Sequence, residues 1–291
     1  MKRIFVALFL QMVLSCNNNN HPQHSANQHN TSSTKENEKN ELTENKIIAV
    51  APNDILRNFD SWYNYAYWNT PLSKSFIGLD VDSTKLDKTN FLNKLINGEY
   101  VVFKKGVFRD KVIYQLFKYD GSDEVIKSNM KQLASIEMKN FKMEGQQIPE
   151  FNLTDLKGNS YDAASTKGKI LVLKCWFIGC TACVKEFPEC NNLVNEYKSK
   201  SDVLFVSLAS DKEEQLKDFL KNKVLEYAVI PKMDTYMVSK LHIDMYPTHL
   251  LVDGKGKILK VANTIKELKP FLEKEVGNRY NKAYAGNRSV H

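Results

Sequence analysis

Hydrophobic and polar positions divide the chain of 291 residues into five stretches. Lys2 and Arg3 precede an apolar run from Ile4 to Leu14. The run is too short for a comfortable bilayer span and has the shape of an export signal. Residues 17–45, opening with Asn17 to Asn20, hold almost nothing to bury and read as a disordered linker, with His21, His24 and His29 as solvated tether residues. Residues 46–145 regain apolar periodicity. Ile55, Phe59, Trp62, Tyr63 and Tyr67 predict a helix capped by Asn53 and running to about Trp68. Phe91, Leu92 and Leu95 predict a short helix that stops at Gly98. Tyr100–Phe103 and Val112–Phe117 predict a β-hairpin around Gly106. Val125, Ile126, Met130, Leu133, Ile136 and Met138 predict a helix over 122–141. This is a small α+β domain with an aromatic cluster for its own packing or for a peptide.

From 146 to 276 the pattern changes to short apolar runs alternating with helical periods. Residues 148–159 predict a hairpin around Leu156-Lys157-Gly158-Asn159. Ile170-Leu171-Val172-Leu173 is apolar on successive positions, as a strand buried on both faces must be. Val203–Val206 is a second such strand. A helix from Ser210-Asp211 to about Asn222 joins it to a short extended run, Tyr227–Ile230. Residues 234–241 are helical, residues 245–258 form an antiparallel hairpin with a Gly-rich turn, and a helix from Glu267 to about Val276 closes the unit before a loose tail, 277–291. The strand–helix–strand order requires a right-handed crossover and an α/β fold.

Composition narrows the chemistry. A net charge of +7 is spread along the chain, mostly as Lys, without a dense basic patch interleaved with aromatics, which excludes nucleic acid as a partner. Of the five cysteines, four lie between 175 and 190, which is not a disulfide framework. Cys180 follows Gly179 at the predicted strand-to-helix junction, where unpaired backbone N–H groups favour a thiolate. Cys183 is one turn on, within disulfide reach. Cys180 would attack a disulfide and Cys183 would resolve the mixed disulfide. A zinc site needs a second ligand pair, and none follows; haem attachment needs His after the second cysteine, and Val184 stands there. A structural disulfide closing so short a loop would add little stability.

The run Trp176-Phe177-Ile178-Gly179-Cys180-Thr181-Ala182-Cys183-Val184-Lys185-Glu186-Phe187-Pro188 resembles the thioredoxin-like thiol-disulfide oxidoreductases. Within them it is similar to the TlpA/ResA-like branch of bacterial envelopes, related to the AhpC/TSA redoxins, over about residues 146–275. The resemblance implies a thioredoxin-like fold, a central mixed sheet flanked by helices, preceded by the N-terminal α+β domain. It implies a redox-active Cys180–Cys183 pair and an acid, Glu186, that moves the Cys183 proton. It further implies a cis-proline at Pro247 leaving the Tyr246 backbone to pair with substrate, and Trp176 beside the disulfide at the substrate side. Pro188 would kink the redox helix. Lys174 departs from cytoplasmic thioredoxins, which keep a buried acid there. Cys175 and Cys190 read as buried inert thiols, and His242 and His249 as structural residues.

Ser15-Cys16 at the end of the signal resembles a lipobox; the resemblance implies lipidation at Cys16 and a tether to an envelope membrane, facing the periplasm, whereas an ordinary secretory signal would leave Cys16 incidental. The implied partners are oxidised envelope proteins, apocytochromes among them, and a membrane thiol donor; no cofactor and no metal are expected. Reductase is favoured over oxidase because Thr181-Ala182 carries no charge to hold the thiolate. Two rivals stand. A redoxin-type thiol peroxidase shares the opening hairpin, but Phe177 and Leu173 occupy the positions where peroxiredoxins have Thr and Pro. A non-catalytic binding lipoprotein would leave the disulfide inert.

Overall fold

The computed structural model describes residues 52–288; Cys16, the signal and the linker lie outside the described residues. The N-terminal half begins with α1 (Pro52–Ile55) and α2 (Phe59–Asn69). The sequence predicts one helix here. It breaks because the Asn58 side chain accepts from the Ser61 N–H (2.9 Å), capping a new helix rather than continuing the old one. Strands β1 (Phe76–Leu79) and β2 (Lys85–Leu86) follow, neither foreseen, then α3 (Lys88–Ile96). The hairpin is β3 (Tyr100–Phe108) and β4 (Lys111–Lys118). Its turn is not at Gly106, which sits by a bulge, but at Arg109 and Asp110, both at positive φ as a two-residue hairpin turn requires. Helix α4 (Glu124–Met143), capped by Asp123, lies against α3 and packs Ile126, Met130, Ala134 and Met138 into one core with Trp62, Phe91 and Tyr114.

Past α4 the chain forms a small hairpin, β5 (Asn152–Thr154) and β6 (Ser160–Asp162), then the central strand β7 (Ile170–Trp176). Two short helices, α5 (Thr181–Lys185) and α6 (Phe187–Tyr197), lead to β8 (Val203–Ala209). Pro188 lies in the first turn of α6, so the expected kink is a full break between two helices. Helix α7 (Glu213–Leu220), β9 (Ala228–Ile230), a π-helical turn (Tyr236–Lys240), β10 (Thr248–Val252), β11 (Ile258–Ala262) and α8 (Ile265–Arg288) complete the fold. Helix α8 runs twelve residues beyond the expected end at Val276, to Arg288.

The sheet order is β11-β10-β7-β8-β9, with β7, β8 and β9 parallel and β10 and β11 antiparallel to their neighbours. Alternation on β7 separates two cores. Ile170, Val172 and Trp176 meet α6 and α8, whereas Leu171, Leu173 and Cys175 meet the π-helical turn on the other face. This is the thioredoxin-like mixed sheet with flanking helices. Outside β11, residues 145–148 run along the sheet edge: Gly145 N–H donates to Ile258 O (2.7 Å), Ile258 N–H to Gln146 O (2.9 Å) and Ile148 N–H to Gly256 O (2.8 Å). Among the described residues, no helix is long and apolar enough to cross a membrane.

Candidate active site

Strand β7 ends at Trp176, and the turn after it is built by backbone pairing. Cys180 N–H donates to Phe177 O (3.0 Å), Ser210 N–H to Trp176 O (3.2 Å), and Ile178 N–H to the Asp211 carboxylate (2.8 Å). Asp211, expected to start a helix, instead holds this turn. Cys180 is the N-cap of α5 and is joined to Cys183 by a disulfide with Cα atoms 5.2 Å apart. Cys183 N–H donates to Cys180 Sγ (3.2 Å). The two sulfurs differ in access: Cys180 is 7% exposed, among exposed Gly179, Thr181 and Ala182, and Cys183 is 0% exposed.

Trp176 is fully buried, so the expectation that it meets substrate is corrected. It packs in the cluster that holds the disulfide, edge-on to Phe187 (centroids 5.0 Å). Tyr246–Pro247 is a cis bond. Thr248 pairs with Cys175 across the sheet, which puts 246–247 opposite the end of β7, and the Tyr246 ring meets Phe177 edge-on (5.4 Å). The half-buried Tyr246 and Phe177 thus stand at the same sheet end as Cys180.

Glu186, one residue past α5, does not face solvent. It points under the redox helices to Lys174 and His249, which are register partners on β7 and β10. Both donate toward one carboxylate oxygen, Lys174 Nζ at 2.9 Å and His249 Nε2 at 2.9 Å, while Ile265 N–H donates to the other at 3.0 Å. Lys174 and His249 are both 0% exposed. Burial raises the Glu186 carboxyl, but His249 and Lys174 outweigh it and hold it down at about 2. Burial, then the Lys174 charge, lower His249 to about 4 despite Glu186. At neutral pH Glu186 is therefore a carboxylate and His249 a neutral imidazole. His249, read as structural from the sequence, belongs to this cluster; its partner stands 63 residues earlier. Burial pushes the Cys175 thiol up to about 12 and the Cys190 thiol up to about 11, so neither is a ready nucleophile.

A disulfide at a helix start, its first cysteine slightly exposed and its second fully covered, on a thioredoxin-like sheet, defines a thiol-disulfide oxidoreductase. Residues 144–261 match the AhpC/TSA family. Over 140 residues the chain is 31% identical to the thiol-disulfide oxidoreductase ResA of Bacillus thuringiensis subsp. konkukian, spanning 47% of this chain and 81% of that protein. It is 30% identical over 133 residues to ResA of Bacillus cereus, spanning 45% and 77%. A solved thioredoxin domain of a thiol-disulfide oxidoreductase from Bacteroides vulgatus is 29% identical and covers 46% of this chain and 97% of that one, with a TM-score of 0.42. The chain belongs to the TlpA/ResA-like thiol-disulfide oxidoreductases.

Proposed function

We propose that this protein is an envelope reductase, tethered through Cys16, that opens disulfides in exported proteins. The observation that supports it best is the asymmetry of the pair, with Cys180 7% exposed beside exposed Gly179, Thr181 and Ala182 and Cys183 fully covered. The Cys180 thiolate attacks a client disulfide, forms a mixed disulfide and expels one client thiolate. The Cys183 thiolate then attacks Cys180 Sγ, releases the second client thiol and closes the Cys180–Cys183 bond. Two electrons pass to the client, and a membrane dithiol donor restores them. The Cys183 N–H that donates to Cys180 Sγ stabilises charge on the attacking sulfur. Tyr246 and Pro247 form the edge along which the client lies extended.

The role first expected for Glu186 changes. A carboxylate that accepts from Lys174, His249 and Ile265 N–H is a poor proton carrier at neutral pH, and here it anchors the redox helices to β7, β10 and α8. Residues 46–145 form a partner-facing domain, and 146–276 the redox domain.

The test is capture. Cys183→Ser in the full chain, incubated with oxidised envelope extract, is expected to accumulate reductant-sensitive adducts through Cys180, which Cys180→Ser abolishes. Absence of adducts, together with no exchange by the intact protein, would refute the reading and leave a binding lipoprotein. Peroxide turnover faster than disulfide turnover would replace it with a thiol peroxidase.

A further inference from the structure

The match to the AhpC/TSA family begins at residue 144, one residue after α4 ends, so α4 lies outside it. It is fixed on β11 by buried charge. Lys88 Nζ donates to Glu137 (2.7 Å), and Lys260, 2% exposed on β11, lies between Glu137 (3.9 Å) and Glu144 (2.5 Å). From the same helix, buried Asn140 reaches the site by an unbroken chain of contacts. Its Nδ2 donates to Asn263 Oδ1 (2.7 Å). Asn263 Nδ2 donates to Pro247 O (3.2 Å) and to Thr248 Oγ1 (3.1 Å), and Thr248 Oγ1 donates to Met245 O (2.8 Å).

An amide side chain can present either end, and its neighbours decide which. Asn140 offers Asn263 a donor, which turns the Asn263 oxygen toward α4 and its NH₂ toward the Pro247 carbonyl. With that donor gone, Asn263 Oδ1 loses its anchor on α4, and the amide that holds Pro247 O and Thr248 Oγ1 is no longer fixed from behind.

We infer that Asn140 and Asn263 are positioning residues through which the N-terminal half holds the 245–248 segment in shape for an extended client. This rests on Tyr246–Pro247 being the client edge. The chemistry at the sulfurs stays independent of α4, so only substrates with a backbone to lay along that edge feel it.

The reduced full chain is mixed with excess of either an extended peptide carrying a disulfide or cystamine, a disulfide without a peptide backbone. Acid-quenched samples give the rate of Cys180–Cys183 closure against disulfide concentration. Asn140→Ala is expected to raise the half-saturating peptide concentration about tenfold, the equivalent of one lost buried hydrogen bond, with the limiting rate and the cystamine rate unchanged. Asn140→Asp, isosteric but presenting only acceptors, is expected to do at least as much. Asn263→Ala and the double variant are expected to match each other. Ala134→Gly, which loosens α4 without touching the bridge, controls for general destabilisation.

An unmoved peptide half-saturation in Asn140→Ala overturns the inference. So does an equal loss with cystamine, or an equal rise in Ala134→Gly. If the wild type exchanges with cystamine but shows no saturation with peptide, the client edge itself is misplaced. If it exchanges with neither, the oxidoreductase reading fails together with this one.

Discussion

Glu186→Ala would leave the fully buried Lys174 without its carboxylate. Removing one partner of a buried pair costs about 3–5 kcal/mol. The orphaned Ile265 N–H adds about 1 kcal/mol. Lys174→Met removes the charge but leaves Glu186 two donors, His249 and Ile265 N–H, and is expected to cost about 1–3 kcal/mol. The double variant Lys174→Met, Glu186→Gln replaces the pair with neutral groups of similar volume. It is expected to lie within about 2 kcal/mol of wild type, better than Glu186→Ala alone. The assay is urea unfolding at pH 7 with the disulfide intact. Trp176 reports on the redox half and Trp62 on the other, and agreement of fluorescence with circular dichroism tests whether the chain unfolds in one step. The reasoning fails if Glu186→Ala loses less than about 1 kcal/mol, or if the single costs simply add in the double variant.

Acid should weaken the same cluster. His249 is lowered from 6.5 to about 4 and Glu186 from 4.5 to about 2, so both contribute fully above pH 6.5. As pH falls through 6.5 to 4, the unfolded chain takes up a His proton that the fold refuses; from 4.5 to 2 the same holds for the carboxyl. Stability is expected to fall by about 3 kcal/mol between pH 7 and 4, and His249→Leu to flatten that interval; an identical slope in the variant would contradict it. Asp211→Ala removes the acceptor of the Ile178 N–H, so that amide should exchange with solvent about tenfold faster or more while β7 amides keep their protection. Unchanged exchange at Ile178 would show the turn to be held by other means.

Much of the fold was legible because its signals are local. The run Ile170–Leu173 announces a strand covered on both faces, and Cys180, Cys183 and Pro247 carry their meaning within a few residues. The Glu186 cluster was less legible. Lys174 departs from the cytoplasmic pattern, and its parity with Ile170, Val172 and Trp176 already puts it on the face under the redox helices, where Glu186 from those helices pairs with it. His249 gave no such sign, because a strand histidine reads alike with or without a partner brought from another element. The hairpin turn was misplaced because Gly106 looks like a turn residue, whereas the tertiary twist forces Arg109 and Asp110 to positive φ. Asn58 gives no warning of the break, because a cap inside an apolar helical period looks like an ordinary polar position.

The strip from Gly145 to Ile148 has a practical sequel. It joins the halves and at the same time closes the outer rim of β11, so the junction is woven into the sheet and cannot act as a swivel. Trimming the protein to a start beyond Ile148 would bare that rim's donors and acceptors, an invitation to a passing strand. A shortened version should therefore stick to itself, and the honest minimal unit of this enzyme starts well before its cysteines.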